Sequence, residues 1–112
     1  MLTLVTYPAD DMHPQRQFLV EVPDLFGLER ISDAVWDRMQ GIMPNGLPER
    51  FGCRSMQIGD LVNIPGADRP HIMLCNNDGW LMLAPEIAEK WMQIPALDRQ
   101  MGWKWCKERN LI

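Results

Sequence analysis

The spacing of apolar and polar positions changes period several times along the chain, and each change predicts an element. Leu2, Leu4 and Tyr7 alternate with Thr3 and Thr6, and Phe18, Val20 and Val22 alternate with Leu19 and Glu21, the period-two pattern of half-buried strands. Pro8 and Pro14 confine the polar segment between them to a turn region. From Leu28 the period lengthens: Leu28, Ile31, Val35 and Met39 recur at spacings of 3, 4 and 4, one face of a helix that Ala34 and Trp36 widen. Gly41, Pro44, Asn45, Gly46 and Pro48 mark the loop that follows. Strands are predicted over 58–64, 71–75 and 80–83, the last two joined through Asn76-Asn77-Asp78-Gly79, whose Asp-Gly pair suits a tight hairpin. Pro85 opens a helix to about Gln93, with Glu86 and Glu89 near its positive end and Ile87, Trp91 and Ile94 on its inner face. Pro95 ends it, and Leu97, Met101 and Trp105, at spacings of 4 and 4, predict a terminal helix through Asn110 in spite of Gly102.

These elements add up to an α+β fold: a small antiparallel sheet, made of a three-stranded meander plus the N-terminal strands, packed with two to three helices. The 112 residues form a single α+β domain, 1–112, able to bury roughly 65% of its unfolded surface. With 46% hydrophobic and 23% charged residues, the composition is that of a globular protein and excludes global disorder. No stretch approaches the roughly 18 apolar residues of a membrane span, and the N-terminal residues lack the pattern of a secretory signal, so a cytoplasmic protein without membrane association is expected. Cys53, Cys75 and Cys106 are an odd number at wide spacing, which predicts reduced packing residues in place of disulfides or a zinc pair.

The residues offer little conventional catalysis. Ser32 and Ser55 lack a nucleophile elbow and have only His13 and His71 as imidazole bases; His71 and Cys75 lie four apart on one predicted strand, too distant for a nucleophile and its base. His13 beside Asp10 and Asp11 reads as a solvated loop before it reads as a metal site, and no phosphate-binding glycine loop occurs. No catalytic residue, metal ligand or cofactor is assigned.

Charge is more informative. Eleven Lys+Arg against 15 Asp+Glu leave a net charge of −4. Glu29, Asp33 and Asp37, four residues apart, share one side of the first helix beside Trp36, an acidic stripe suited to docking on a basic partner. Five Trp and nine Met exceed what a core of this size needs, and both suit interfaces, with a partner protein or in a homodimer. The segment 99–112 is instead basic: Arg99, Lys104, Lys107 and Arg109 against Glu108 give 4 − 1 = +3, with Trp103 among them. Basic residues interleaved with aromatics are the composition of a nucleic-acid-binding surface, and Arg99, Trp103, Lys104, Lys107 and Arg109 form that alternative site.

Arg54-Ser55-Met56, Gly59-Asp60 and Val62, following Pro48 and Phe51, resemble the signature of the YodL-like domain of mobile-element proteins, a proline and an aromatic followed by R-S-[LM]-S-V-[GS]-D-[VI]-[VI]. Gln57 stands where that family has Ser, and Ile58 replaces Val. The helix upstream and Asp78-Gly79-Trp80 downstream are similar to the family's order of elements, so the resemblance covers about residues 29–83. It implies a domain of phages, plasmids and conjugative elements, often within larger polyvalent proteins that protect incoming DNA, with no established catalytic residues. Physically, Arg54, Ser55, Met56, Gly59 and Asp60 read as structural: Gly59 takes a bend and Asp60 ties its loop to nearby backbone. The expectation is a small non-enzymatic phage- or plasmid-type protein that binds a host protein complex, CRISPR or restriction machinery, through Glu29, Asp33, Trp36 and Asp37 and inhibits it. The alternative is a nucleic-acid-binding accessory protein.

Overall fold

The computed structural model describes residues 1–44 and 46–112, so Asn45, assigned above to the loop after the first helix, lies outside the described residues. Five strands, β1 (Leu2–Tyr7), β2 (Arg16–Glu21), β3 (Leu61–Ile64), β4 (His71–Asn76) and β5 (Gly79–Leu83), form one antiparallel sheet. The expected meander is β3-β4-β5. The N-terminal hairpin joins it through β1, which pairs with β3 as well as β2, so the order is β2-β1-β3-β4-β5. The helical segments are α1 (Leu28–Arg38), α2 (Pro48–Phe51), α3 (Pro85–Gln93), α4 (Ala96–Arg99) and α5 (Trp103–Glu108). Among the described residues they number five instead of two to three because α2 and α4 are single turns and the predicted terminal helix is broken.

The sheet separates two cores. On one face Val5, Tyr7, Val20, Val62 and Met73 pack against Ile31, Val35 and Met39 of α1. On the other, Leu61, Leu74 and Leu83 meet Ala88 and Trp91 of α3, Ile94, and Cys106 of α5. Trp91 is fully buried and its indole N–H donates to the Gly59 carbonyl at 2.9 Å, so the largest side chain of the second core has its polar atom satisfied.

Three expectations need correction. In β1 the inward face is Thr3, Val5 and Tyr7: Thr3 is 1% exposed and Leu2 52%. Apolar alternation pointed the other way, but Thr3 tolerates burial because its hydroxyl donates to the Val20 carbonyl at 2.7 Å. The strand predicted over 58–64 begins only at Leu61. Before it, Gln57 to Asp60 make a tight turn closed by Asp60 N–H to Gln57 O at 3.2 Å, with Gly59 at φ 103°, a conformation that favours glycine. Gly59 and Asp60 then face the single residue Cys75, as a β-bulge does. Finally, Gly102, at φ 96°, breaks the terminal helix. Leu97 and Met101 face solvent, and Arg99, Gly102 and Cys106 face inward.

Candidate functional site

α1 places the acidic stripe where its period requires. Ile31, Val35 and Met39 face the sheet, which leaves Glu29, Asp33 and Asp37 exposed on the opposite side. Glu29 and Asp37 make no ion pair among the described residues. Asp33 has a definite partner: its Oδ1 accepts the Trp80 indole N–H at 2.8 Å, which fixes the second residue of β5 against the helix. Trp36 and Trp80, both half-buried, flank a notch of about 180 Å³ that Asp33, Cys75, Asn76 and Gly79 complete. The result is a shallow aromatic-walled recess at the foot of a row of carboxylates. Two indole rings beside the Asp33 carboxylate have the chemistry to receive a lysine or arginine, whose stem would lie on the rings.

The motif residues lie elsewhere and are bound to one another. Asp60, 1% exposed, receives both terminal nitrogens of Arg54, at 2.7 and 2.9 Å, and the Gln57 N–H at 2.8 Å. Burial pushes the Asp60 carboxyl above its ordinary range against the pull of Arg54 and Gln57. Burial opposes the Arg54 charge too, but there the Asp60 carboxylate outweighs it and the guanidinium pKa is raised. Arg54 also lies over the Tyr7 ring at 4.1 Å, and its carbonyl accepts the Tyr7 hydroxyl at 3.1 Å. Ser55 Oγ accepts the Gly41 N–H and Met56 N–H bonds to Met39 O, so the segment ties down the end of α1.

A cleft of about 330 Å³ beside this motif brings together Tyr7, His13, Arg16, Cys53 and Arg54, residues scattered over nearly fifty positions that no spacing in the sequence connects. At its mouth Asp10 accepts the Met12 and His13 N–H groups, and the Met12 bond leads the causes that hold its carboxyl below the usual range. His13 Nδ1 lies 3.3 Å from the same carboxylate. The cleft does not activate its thiol: burial pushes Cys53 up despite Arg16 and Arg54. Cys75 is pushed up to about 12 and Cys106 is raised, again mainly by burial, the reverse of the setting a thiolate nucleophile needs. All three cysteines are free, with Cys53 half-buried and the others buried.

The basic segment does not come together as one surface. Arg99 is 5% exposed and its guanidinium donates to the carbonyls of Ala9, Met92 and Ile94, so it is a structural cross-link and not a phosphate contact. Lys104, Lys107 and Arg109 are exposed. The one ring assigned to stacking is already engaged: Trp103 lies 5.9 Å from Trp91 and 5.9 Å from the Lys107 ammonium, and Arg109 covers the neighbouring Trp105 at 3.8 Å. No group of three or more His, Cys, Asp or Glu side chains among the described residues could hold a metal, and no described helix is long and apolar enough to cross a membrane.

No family model, curated protein or solved structure matches this chain.

Proposed function

We propose that this protein acts by stoichiometric binding to a partner protein that presents basic side chains, using the α1 stripe and the notch between Trp36 and Trp80. The observation that carries this reading is the Asp33–Trp80 hydrogen bond. It holds an aromatic wall in place without a partner, beside two carboxylates, Glu29 and Asp37, that have no intramolecular ion pair among the described residues. Preorganised aromatic anchors ringed by charge are the arrangement that concentrates binding energy and speeds encounter with an oppositely charged surface. The finer reading, a phage- or plasmid-type inhibitor of a host defence complex such as CRISPR or restriction machinery, rests on the resemblance of the Arg54–Asp60 segment to YodL-like domains. Complexes that handle nucleic acid present basic grooves, which fits the charge of the stripe. The Trp-containing basic segment is the weaker candidate because Arg99 is buried and both tail rings carry their own cations.

The test is affinity capture from a nuclease-treated bacterial lysate with the wild-type chain and with two variants, Glu29→Lys/Asp37→Lys and Trp36→Ala. Asp33 is left intact because its replacement would also release Trp80. A protein retained by the wild type and lost from both variants, with affinity that falls as salt rises, is the expected outcome. Equal capture by all three chains, or retention only when nucleic acid is present, overturns the proposal.

A further inference from the structure

β2 forms one border of the sheet and, among the described residues, pairs with β1 alone. Beyond its end, Met1 and Val22 exchange hydrogen bonds in both directions, at 2.8 and 2.9 Å, which sets the phase of the β1–β2 ladder. Even-numbered residues of β2 direct their backbone groups to β1, and Gln17, Leu19 and Glu21 direct theirs outward. The same three residues share the sheet face away from α1, where the Leu19 side chain is 61% exposed opposite Leu4. Leu2, Leu4 and Leu19 lie outside the core beneath α3. An apolar row thus runs up to an open edge whose backbone donors and acceptors point into solvent.

We infer that this edge is a self-pairing surface: two copies of the chain join antiparallel through β2, about a two-fold axis that passes Leu19. The strand's sequence selects both the occupant and the register. An antiparallel pair related by a two-fold keeps its faces aligned only when outward residues face outward residues, so the axis falls at one of the residues Gln17 to Glu21; at Phe18 or Val20 it sets Leu19 against the partner's Gln17 or the partner's Glu21 and interrupts the apolar row. Centring at Glu21 sets like charges against each other, and centring at Gln17 or Glu21 leaves part of the edge unpaired. Centring at Leu19 pairs all three positions. Leu19 meets the partner's Leu19, and Gln17 meets the partner's Glu21, an amide donor against a carboxylate acceptor, twice by symmetry. The Leu4–Leu19 row then continues into the same row of the second copy, and each Leu19 gains a leucine neighbour across the new ladder. The edge lies on a different part of the molecule from the α1 stripe, and the inference stands independently of the proposed function.

Sedimentation of the full chain across the micromolar range tests it, with the mass expected to move from 13.0 kDa toward twice that value as concentration rises. Leu19→Lys, a change at an exposed position, is expected to abolish the dimer. Gln17→Lys, which sets an opposite charge against the partner's Glu21, is expected to tighten it by about threefold to tenfold, and Gln17→Glu to weaken it by a similar factor. Amide exchange gives a readout independent of folding. At high concentration Gln17, Leu19 and Glu21 should be protected and become labile in Leu19→Lys, with Phe18 and Val20 protected in both. A chain that stays monomeric throughout overturns the inference. So does a dimer that none of the three substitutions moves, or one in which the Gln17, Leu19 and Glu21 amides exchange freely.

Discussion

Asp60 carries more of the fold than its size suggests. Its carboxylate joins Arg54 and the turn amide of Gln57, and its carbonyl accepts the Cys75 N–H, so one residue holds the entry to β3 from both sides. Arg54→Met would leave that carboxylate buried without its counter-ion, and removal of one partner of such a pair costs about 3–5 kcal/mol. The expected result is a markedly lower urea midpoint with little change in slope. Arg54→Lys should recover only part of the loss, because an ammonium cannot reproduce the two parallel bonds. Cys75, next to Asp60, sets an alkaline limit. Its thiol is pushed up to about 12, chiefly by burial, whereas in the unfolded chain a thiol ionises near 8.5. Between those values the folded state binds the extra proton, so stability is full below about pH 8.5 and is lost as pH rises toward 12. The raised Tyr7 hydroxyl acts in the same direction at higher pH. Denaturation measured at several alkaline pH values should show a shallower decline for Cys75→Ala than for the wild type.

At the scale of elements, the β4–β5 turn also serves as the mount for α5. Asn76 Oδ1 accepts the Trp103 N–H at 3.1 Å, and a Cβ on Gly102 would lie 2.4 Å from Asn77 Oδ1. Gly102→Ala adds that clash to a φ of 96° and should cost more than about 1 kcal/mol. Asn76→Ala, which leaves a first-turn N–H without its acceptor, should cost about 1 kcal/mol. Trp fluorescence during urea unfolding reads both. Long periodic elements are legible in the sequence: α1, α3, the meander and the exposed acidic stripe follow from spacing alone. Elements decided by a polar or glycine residue are not. Thr3 turns inward because a hydroxyl finds a carbonyl across the ladder, β3 is shortened by a glycine bulge, and the inward side of the tail includes an arginine and a glycine that no hydrophobic count selects. The Asp33–Trp80 bond spans 47 positions and the Arg54–Asp60 pair closes across a turn, so neither has a periodic signature.

For the whole molecule, the two cores are back to back on one sheet, and adjacent residues of β3, Leu61 and Val62, point into different ones. Damage to either core is therefore felt by both, and unfolding followed by tryptophan fluorescence and by backbone circular dichroism should give coincident transitions. Truncation after Gln100 removes Trp103 and Cys106 and uncovers Trp91, so the shortened chain should lose its cooperative transition. Surface substitutions at Lys104, Lys107 and Arg109 are the way to examine the tail's charge without that collapse. The inner position of β1 has a consequence in time. Its second partner, β3, begins at Leu61, about forty residues after β2 ends, and at ribosomal speeds of about 5–20 residues per second that interval is about 2–8 s. Throughout it the newborn β1–β2 hairpin has two open edges in place of one, and the leucine-bearing border described above competes with β1 for any strand that arrives first. Crowded synthesis on one messenger would thus favour pairing between neighbouring nascent chains before either sheet is complete.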